Sequence, residues 1–296
     1  MMRSMKLRIH PEVKSALDAS QAVVALESTV ITHGLPQPQN LELAETLEQT
    51  VRDAGAVPAT VGVLAGELVV GLSPEEREYL ASGGADKASL WNLAALLAQG
   101  KSAGTTVATT LHAAHAAGIS VFATGGIGGV HAEAFDESAD LFALARYSVI
   151  TVCAGPKSIL DVGATLERLE SLGVPVLGYQ SDYLAGFHVP LTTRALPNRI
   201  ESPGEAAQIL AVQRELGLRQ GILVSNPVSR GLDAELLDDW IYKAYAEAYE
   251  EGLKGRDITP FMLAKLNELS GGDTVSVNLL LLEENARLAA KIALTI

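Results

Sequence analysis

The stretch Phe122-Ala-Thr-Gly-Gly-Ile-Gly-Gly-Val-His131, continued by Phe135-Asp136-Glu-Ser-Ala-Asp140 and Ala154-Gly-Pro-Lys157, decides how this chain is read. Ile119-Ser-Val-Phe-Ala123 has the length and composition of a buried parallel strand. It breaks into Gly125, Gly126, Gly128 and Gly129, a loop whose bare backbone can bring N–H groups onto an anion. A second apolar run, Ser148-Val-Ile-Thr-Val-Cys153, ends in Ala-Gly-Pro and places Lys157 at the expected start of a helix. Two strand ends, a glycine loop, carboxylates and a lysine therefore fall close together, the layout of a site.

Working outward, the sequence alternates strands with helices. Ala22–Leu26, Val174–Tyr179 and Gly221–Ser225 read as strands, and Thr60–Leu64 with Leu68–Leu72 as a hairpin around Ala-Gly-Glu. Helices are expected over His10–Leu17, Leu41–Ala54, Pro74–Ala81, Leu90–Ala98, Ser158–Leu172, Pro203–Leu216, Ala234–Glu251, Pro260–Leu269 and Asn278–Leu294. Ser28 to Asn40 is expected as a polar loop punctuated by Gly34, Pro36 and Pro38. The pattern specifies an α/β sheet covered on both faces, and residues 1–296 form one domain, with no repeat or linker.

Composition narrows the function. No apolar run is long enough to span a bilayer, and the start of the chain lacks the apolar region of a signal peptide. One cysteine, Cys153, allows no internal disulfide, which agrees with a reducing cytoplasm. A formal charge of −13 repels polyphosphate backbones, so neither nucleic acid nor a membrane is an expected partner. A small anionic substrate needs only a local concentration of positive groups.

Each candidate has a plain structural reading beside the chemical one. Glu27 ends an apolar strand, so it is either a helix-cap partner or an acid whose pKa burial raises. Lys157 at a helix N-terminus is misplaced for dipole purposes, and the dipole favours the neutral, nucleophilic amine; an exposed lysine is the alternative. Ser138 can cap a helix beginning at Ala139, which accounts for Glu137 and Asp140 without chemistry, while Asp136 lies outside and suits a hard divalent cation. Lys87 either attracts phosphate or is solvated. His112 and His115 share a helical face without a carboxylate and read as surface or packing residues; Cys153 reads as core.

Read together, Ala25-Leu-Glu-Ser-Thr-Val-Ile-Thr-His-Gly-Leu-Pro-Gln-Pro-Gln-Asn40, Lys87-Ala-Ser89, Gly104-Thr-Thr-Val-Ala-Thr109, Phe122–His131, Phe135–Leu141, Ala154–Ser158, Asn226-Pro227 and Thr259-Pro-Phe261 resemble the pseudouridine-5'-phosphate glycosidase, or indigoidine synthase A-like, family. The segments are collinear and cover nearly the whole chain. The resemblance implies a three-layer α/β/α fold with a central mixed, mostly parallel sheet, a homotrimer, and a divalent metal, typically Mn²⁺, with no organic cofactor. It implies that Glu27 is the proton donor, Lys157 the imine-forming nucleophile and Asp136 the metal ligand. It further implies that Lys87, Val107, Ser138, Ala139, Asp140, Gly125, Gly126, His131 and Asn278 contact a phosphorylated C-nucleoside. The expected reaction is reversible cleavage of pseudouridine 5'-phosphate to uracil and ribose 5-phosphate. The rim departs from the family: Leu90-Trp-Asn lacks the usual arginines, Val130-His131 is followed by Ala-Glu, Gln180-Ser-Asp-Tyr-Leu-Ala-Gly-Phe-His188 replaces the usual segment, and Glu284 stands where asparagine is common. A C-ribosyl synthase using another acceptor is the nearest rival, and a non-catalytic sugar-phosphate module a more distant one. A dinucleotide dehydrogenase lacks its Gly-x-Gly-x-x-Gly fingerprint here.

Overall fold

A computed structural model describes residues 7–131, 136–253 and 258–296, and the side chains of Thr259 and Pro260 are not described. Phe135 of the quoted motif thus lies outside the described residues, as do Ala132 and Glu133 of the altered rim. In chain order the first half runs β1 (Leu7–Ile9), α1 (Pro11–Asp18), β2 (Val23–Leu26), a π-helical turn over Val30–Gly34, α2 (Gln39–Asp53), β3 (Val57–Leu64), β4 (Glu67–Val70), α3 (Pro74–Ala81), β5 (Asp86–Ala88), α4 (Leu93–Ala98), β6 (Ala103–Thr105), α5 (Val107–Ala117) and β7 (Val121–Ala123). The second half runs α6 (Ala139–Arg146), β8 (Ile150–Cys153), α7 (Val162–Ser171), β9 (Val176–Tyr179), β10 (Asn198–Ile200), α8 (Pro203–Glu215), β11 (Ile222–Ser225), α9 (Ala234–Glu250), α10 (Ile258–Leu269) and α11 (Asp273–Ala293).

The strands pair in the order β1-β4-β3-β2-β7-β8-β11-β9-β10, and off this path β6 pairs with β3 and β5 with β6. Parallel pairing dominates, and the exceptions are β3 against β4, the expected hairpin, and β3 against β6. Strand alternation sends successive residues to opposite faces. Val23, Ala25, Phe122, Cys153 and Leu223 pack with Val13, Leu111, Leu141 and Leu169 of α1, α5, α6 and α7. Val24, Leu26, Val121, Ala123, Val152 and Val224 pack with Leu47, Leu210 and Leu281 of α2, α8 and α11. Two helical layers on one sheet make the expected three-layer α/β/α fold. A smaller cluster joins α9 and α10 to Ile159 and Leu160, just beyond the end of β8.

Caps follow the local sequence. Ser73 and Glu76 form a reciprocal capping box on α3, Ser138 accepts from the Asp140 amide at the start of α6, and Asp161 accepts from Ala164 at the start of α7. This last cap corrects the sequence reading: α7 begins at Val162, so Lys157 is not at a helix N-terminus. Pro156 forms a bridge with Ile127, and residues 157–160 close a turn through the Leu160 amide and the Lys157 carbonyl at 3.0 Å. The helix-dipole argument for the amine therefore lapses. The polar stretch after Glu27 likewise contains a π-helical turn that its Gly and Pro content does not announce. The short strands β1, β5, β6 and β10 also escape the pattern, since three residues carry too little periodicity.

Candidate active site

Parallel register brings the candidate residues abreast. Leu26 of β2 pairs with Ala123 of β7, and Ala123 pairs with Val152 of β8, so the residues that follow all leave the same edge of the sheet. Glu27 then stands beside Thr124, whose hydroxyl donates to Glu27 Oε1 at 2.5 Å. Ligands in open α/β sheets bind beyond such carboxyl ends.

Part of Glu27 remains accessible, yet its carboxyl sits deep enough that burial pushes its pKa above the usual carboxylate range. The Lys157 ammonium, the Thr124 hydroxyl and Lys87 pull it down, and Asp140 pushes it further up. These four charged groups thus share one electrostatic neighbourhood. Lys87, at the middle of β5, has its pKa lowered, by burial first and then by Lys157, although the residue as a whole is exposed. Among the described residues no ion pair joins Glu27 to Lys157 or Lys87.

The glycine loop also serves a purpose that the sequence reading did not give it. None of its four glycines has a positive φ. The amides of Thr124, Ile127, Gly128, Val130 and His131 already donate within the protein: to Val152 O, Gly155 O, Asp140 Oδ2, Thr165 Oγ1 and Asp136 O. The glycines are required for close approach. A Cβ on Gly126 would lie 2.6 Å from the Phe187 ring, on Gly128 2.3 Å from Ser138 Oγ, and on Gly129 2.3 Å from Thr165 Oγ1. The loop is a packed ledge. Gly125 and Gly126 directly follow Thr124, the partner of Glu27, and Asn278 Oδ1 of α11 would be 3.4 Å from a Cβ on Gly125.

Asp140 is buried and bolts this ledge to the start of α5, accepting from Gly128 N at 2.8 Å and from Ala108 N at 3.0 Å. Val107 is the first residue of that helix, and Ser138 and Ala139 open α6 beside it. His131 reaches Asp136 through its backbone amide only. The structure therefore gathers Glu27, Lys157, Lys87 and Asp140 electrostatically, and ties Ser138, Ala139, Val107 and Asp136 to them through the ledge. His112 and His115 lie against Tyr147 in tilted ring contacts, and burial pushes the Cys153 thiol up to about 12, unsuited to nucleophilic use.

Asn285 is a residue that sequence reasoning missed. Its side chain is 1% exposed and its Nδ2 donates to Thr124 O at 2.9 Å and Gly125 O at 3.3 Å, while Asn226 Nδ2 donates to its Oδ1 at 3.0 Å. The available signal was its spacing of seven from Asn278 in an apolar helix, where a buried amide needs partners. Thr124 itself was passed over as one small residue in a glycine run.

Asp136 is the single protein carboxylate offered to a metal by the sequence reading. Among the described residues there is no group of three or more His, Cys, Asp or Glu side chains able to hold an ion. That donor set fits a hard cation which keeps most of its water, and does not fit a closed protein cage. Two surface hollows, one lined by Asp161, Ala164, Glu167 and Arg194 and one by Gly204, Gln208, Arg214 and Ile296, contain none of the four clustered charges.

The fold and this constellation define an α/β/α protein with a buried acid and a lysine at one sheet edge. The Indigoidine synthase A like protein family model matches residues 12–295, and the chain belongs to that family. A pseudouridine-5'-phosphate glycosidase of Thermus thermophilus is 58% identical over 273 residues, covering 92% of this chain and 97% of that protein. One from Petrotoga mobilis is 47% identical over 97% of this chain and 96% of its own length. Among solved structures, the prealnumycin C-glycosynthase AlnA in complex with ribulose 5-phosphate superposes with a TM-score of 0.92 at 35% identity, covering 99% of this chain and 97% of that one. An indigoidine synthase A-like protein from Thermotoga maritima gives 0.91 at 34%, covering 99% and 98%.

Proposed function

We propose that this chain is an enzyme that reversibly cleaves the C-glycosidic bond of pseudouridine 5'-phosphate to uracil and ribose 5-phosphate through an imine on Lys157. The observation that carries the chemistry is the pairing of a carboxyl held above its usual pKa with an amine at the same sheet edge. The identity of the substrate rests on relatives of that name at up to 58% identity over most of the chain.

The bond to be broken is carbon–carbon, so protonating a leaving nitrogen cannot help. Glu27, kept protonated by burial, gives its proton to the ribose ring oxygen as Lys157, in its neutral amine form, adds through Nζ at C1', and the C1'–O4' bond opens. Nζ returns a proton to Glu27, its lone pair then forms the C=N bond, and C1'–C5 breaks as Glu27 protonates the uracil carbon. Water adds to the imine, its spare proton returns to Glu27, and release of ribose 5-phosphate regenerates the amine. Lys87 supplies the positive charge for the phosphate, with Gly125 and Gly126 as the backbone surface beside it. Val107 and Ser138 to Asp140 shape the same wall; His131 and Asn278 flank it. A divalent cation, Mn²⁺ by family resemblance, would be held by Asp136 and would order water and polar groups around the base. We place the enzyme in the cytoplasm as a homotrimer. A single buried thiol is compatible with a reducing compartment. The likeness to a C-glycosynthase keeps a second reading, C-ribosyl transfer to another acceptor, as the alternative.

The test couples two measurements. Uracil release from pseudouridine 5'-phosphate should be seen, and borohydride with ribose 5-phosphate should leave a reduced adduct on Lys157. An adduct without uracil release selects the synthase reading. No adduct, or one on Lys87, removes the lysine mechanism.

A further inference from the structure

Lys157 lies in a turn, and a turn does not by itself hold an amine still. Three elements hold the backbone that carries it. The Lys157 amide donates to Ile127 O of the glycine ledge at 3.1 Å, and the 157–160 turn closes on the Lys157 carbonyl. The third element is the strap Leu184–His188, part of the segment that departs from the family pattern.

The strap runs against the end of β8 and reaches the turn itself at Ser158. The Phe187 amide donates to Ala154 O at 2.8 Å, and the Ala185 carbonyl oxygen lies 2.2 Å from where a Cβ on Gly155 would stand. The Phe187 ring rests on Gly126. Its φ of 64° is a conformation costly for a bulky residue and held only when the surroundings determine it. Next, His188 is 2% exposed, and its Nδ1 and the Ser158 hydroxyl share a hydrogen bond at 3.0 Å. The His188 amide approaches the same hydroxyl at 3.5 Å. The strap is anchored behind by Leu232 N on His188 O and by Ser225 Oγ under the Ala185 amide. Ser158 is the residue directly after Lys157.

We infer that His188, acting through Ser158, is a positioning residue for Lys157, setting the turn from which the amine reaches C1' and thereby governing the covalent steps rather than phosphate binding. This rests on the lysine mechanism proposed above. An imidazole suits the task electrostatically. The site already holds Lys87 and Lys157, and the iminium intermediate adds positive charge at Lys157 itself. A lysine or arginine anchor would oppose that charge at close range, whereas a buried neutral imidazole offers a rigid hydrogen bond without it. Its Nδ1 position can be reproduced by an asparagine amide, which provides the discriminating variant.

The test compares wild type, His188→Leu, His188→Asn and Ser158→Ala in three readouts: kcat for uracil release, the rate of borohydride-trapped Lys157 adduct, and Kd for ribose 5-phosphate measured with Lys157→Met added to each protein, where no imine can form. His188→Leu and Ser158→Ala should each slow kcat and trapping by roughly three- to tenfold, the worth of one hydrogen bond. Kd should stay within about twofold, and His188→Asn should recover most of the rate. Combining His188→Leu with Ser158→Ala should add little to either alone, because both break one link. Unchanged trapping in Ser158→Ala, or His188→Asn as slow as His188→Leu, overturns the inference. Should His188→Leu fail to fold, Ser158→Ala and His188→Asn decide it between them. A wild-type protein that forms no adduct removes the lysine mechanism, and this inference with it.

Discussion

Acid should weaken the hold of the strap on the fold at a pH that His188 sets. Its imidazole is 2% exposed and burial pushes its pKa from 6.5 down to about 4. The unfolded chain therefore binds this proton more readily than the folded one. Stability from the neutral ring is fully present above pH 6.5, is lost as pH falls toward 4, and is gone below that value. The gap of about two and a half pH units, at roughly 1.4 kcal/mol each, amounts to about 3 kcal/mol in the limit and about 2 kcal/mol by pH 5. The comparison is wild type against His188→Asn, which retains a polar partner for Ser158 and cannot titrate. Burial raises the pKa of Glu27 and Glu48, and these groups work in the opposite sense, favouring the fold as pH falls; the difference between the two proteins cancels them. Urea unfolding followed by circular dichroism from pH 7.5 to 4.5 reads the difference directly. Wild type should lose stability relative to the variant progressively below pH 6.5. A constant difference across that range would mean that the ring is solvated or already charged in the folded protein, and the electrostatic reasoning about the strap would fall.

Glu27→Gln keeps the shape and removes the transferable proton, so kcat should drop roughly 10²–10⁴-fold with ribose 5-phosphate binding little changed; lost binding with intact saturated turnover would assign the acid elsewhere. Because the folded pKa of Glu27 is raised, the wild type loses stability as pH climbs from 4.5 through that value, and Glu27→Gln should melt higher at pH 8 with the advantage shrinking toward pH 4. Exhaustive chelation should abolish turnover and Mn²⁺ restore it. Asp136→Ala should weaken Mn²⁺ binding, measured by titration calorimetry, by more than the roughly 10–100-fold that loss of an outer-shell partner costs; full activity of the chelated protein would free Asp136 of that role. Gly126→Ala must push a Cβ into the Phe187 ring 2.6 Å away and the Gly155 carbonyl 2.9 Å away, and should cost about 1–3 kcal/mol in thermal unfolding. An unaltered melting curve would show that the ledge and strap are not in contact as described.

What the sequence determined by itself is periodic or covalent in origin. The apolar runs at Val23–Leu26, Val121–Ala123 and Ile150–Cys153, each followed by glycine, proline or a charged residue, specify buried parallel strands whose ends carry the chemistry. Ser138 caps α6 as its sequence says, because a cap is a contact within three residues. The collinear motifs point to the family without any coordinates. Three things needed the tertiary structure. The start of α7 at Val162 rather than beside Pro156 depends on Asp161 capping and on Pro156 bridging Ile127, a pairing between segments far apart in sequence. The glycine loop was legible as glycine but not as a ledge, since which amides are free depends on Asp140, Thr165 and Gly155 arriving from elsewhere. Asn285 beneath Thr124 and His188 behind Ser158 are joined across 161 and 30 residues. Local propensity acts over one turn of chain, whereas a buried polar group is satisfied by whatever the fold brings within 3 Å of it, and only the assembled sheet and its covering helices fix that.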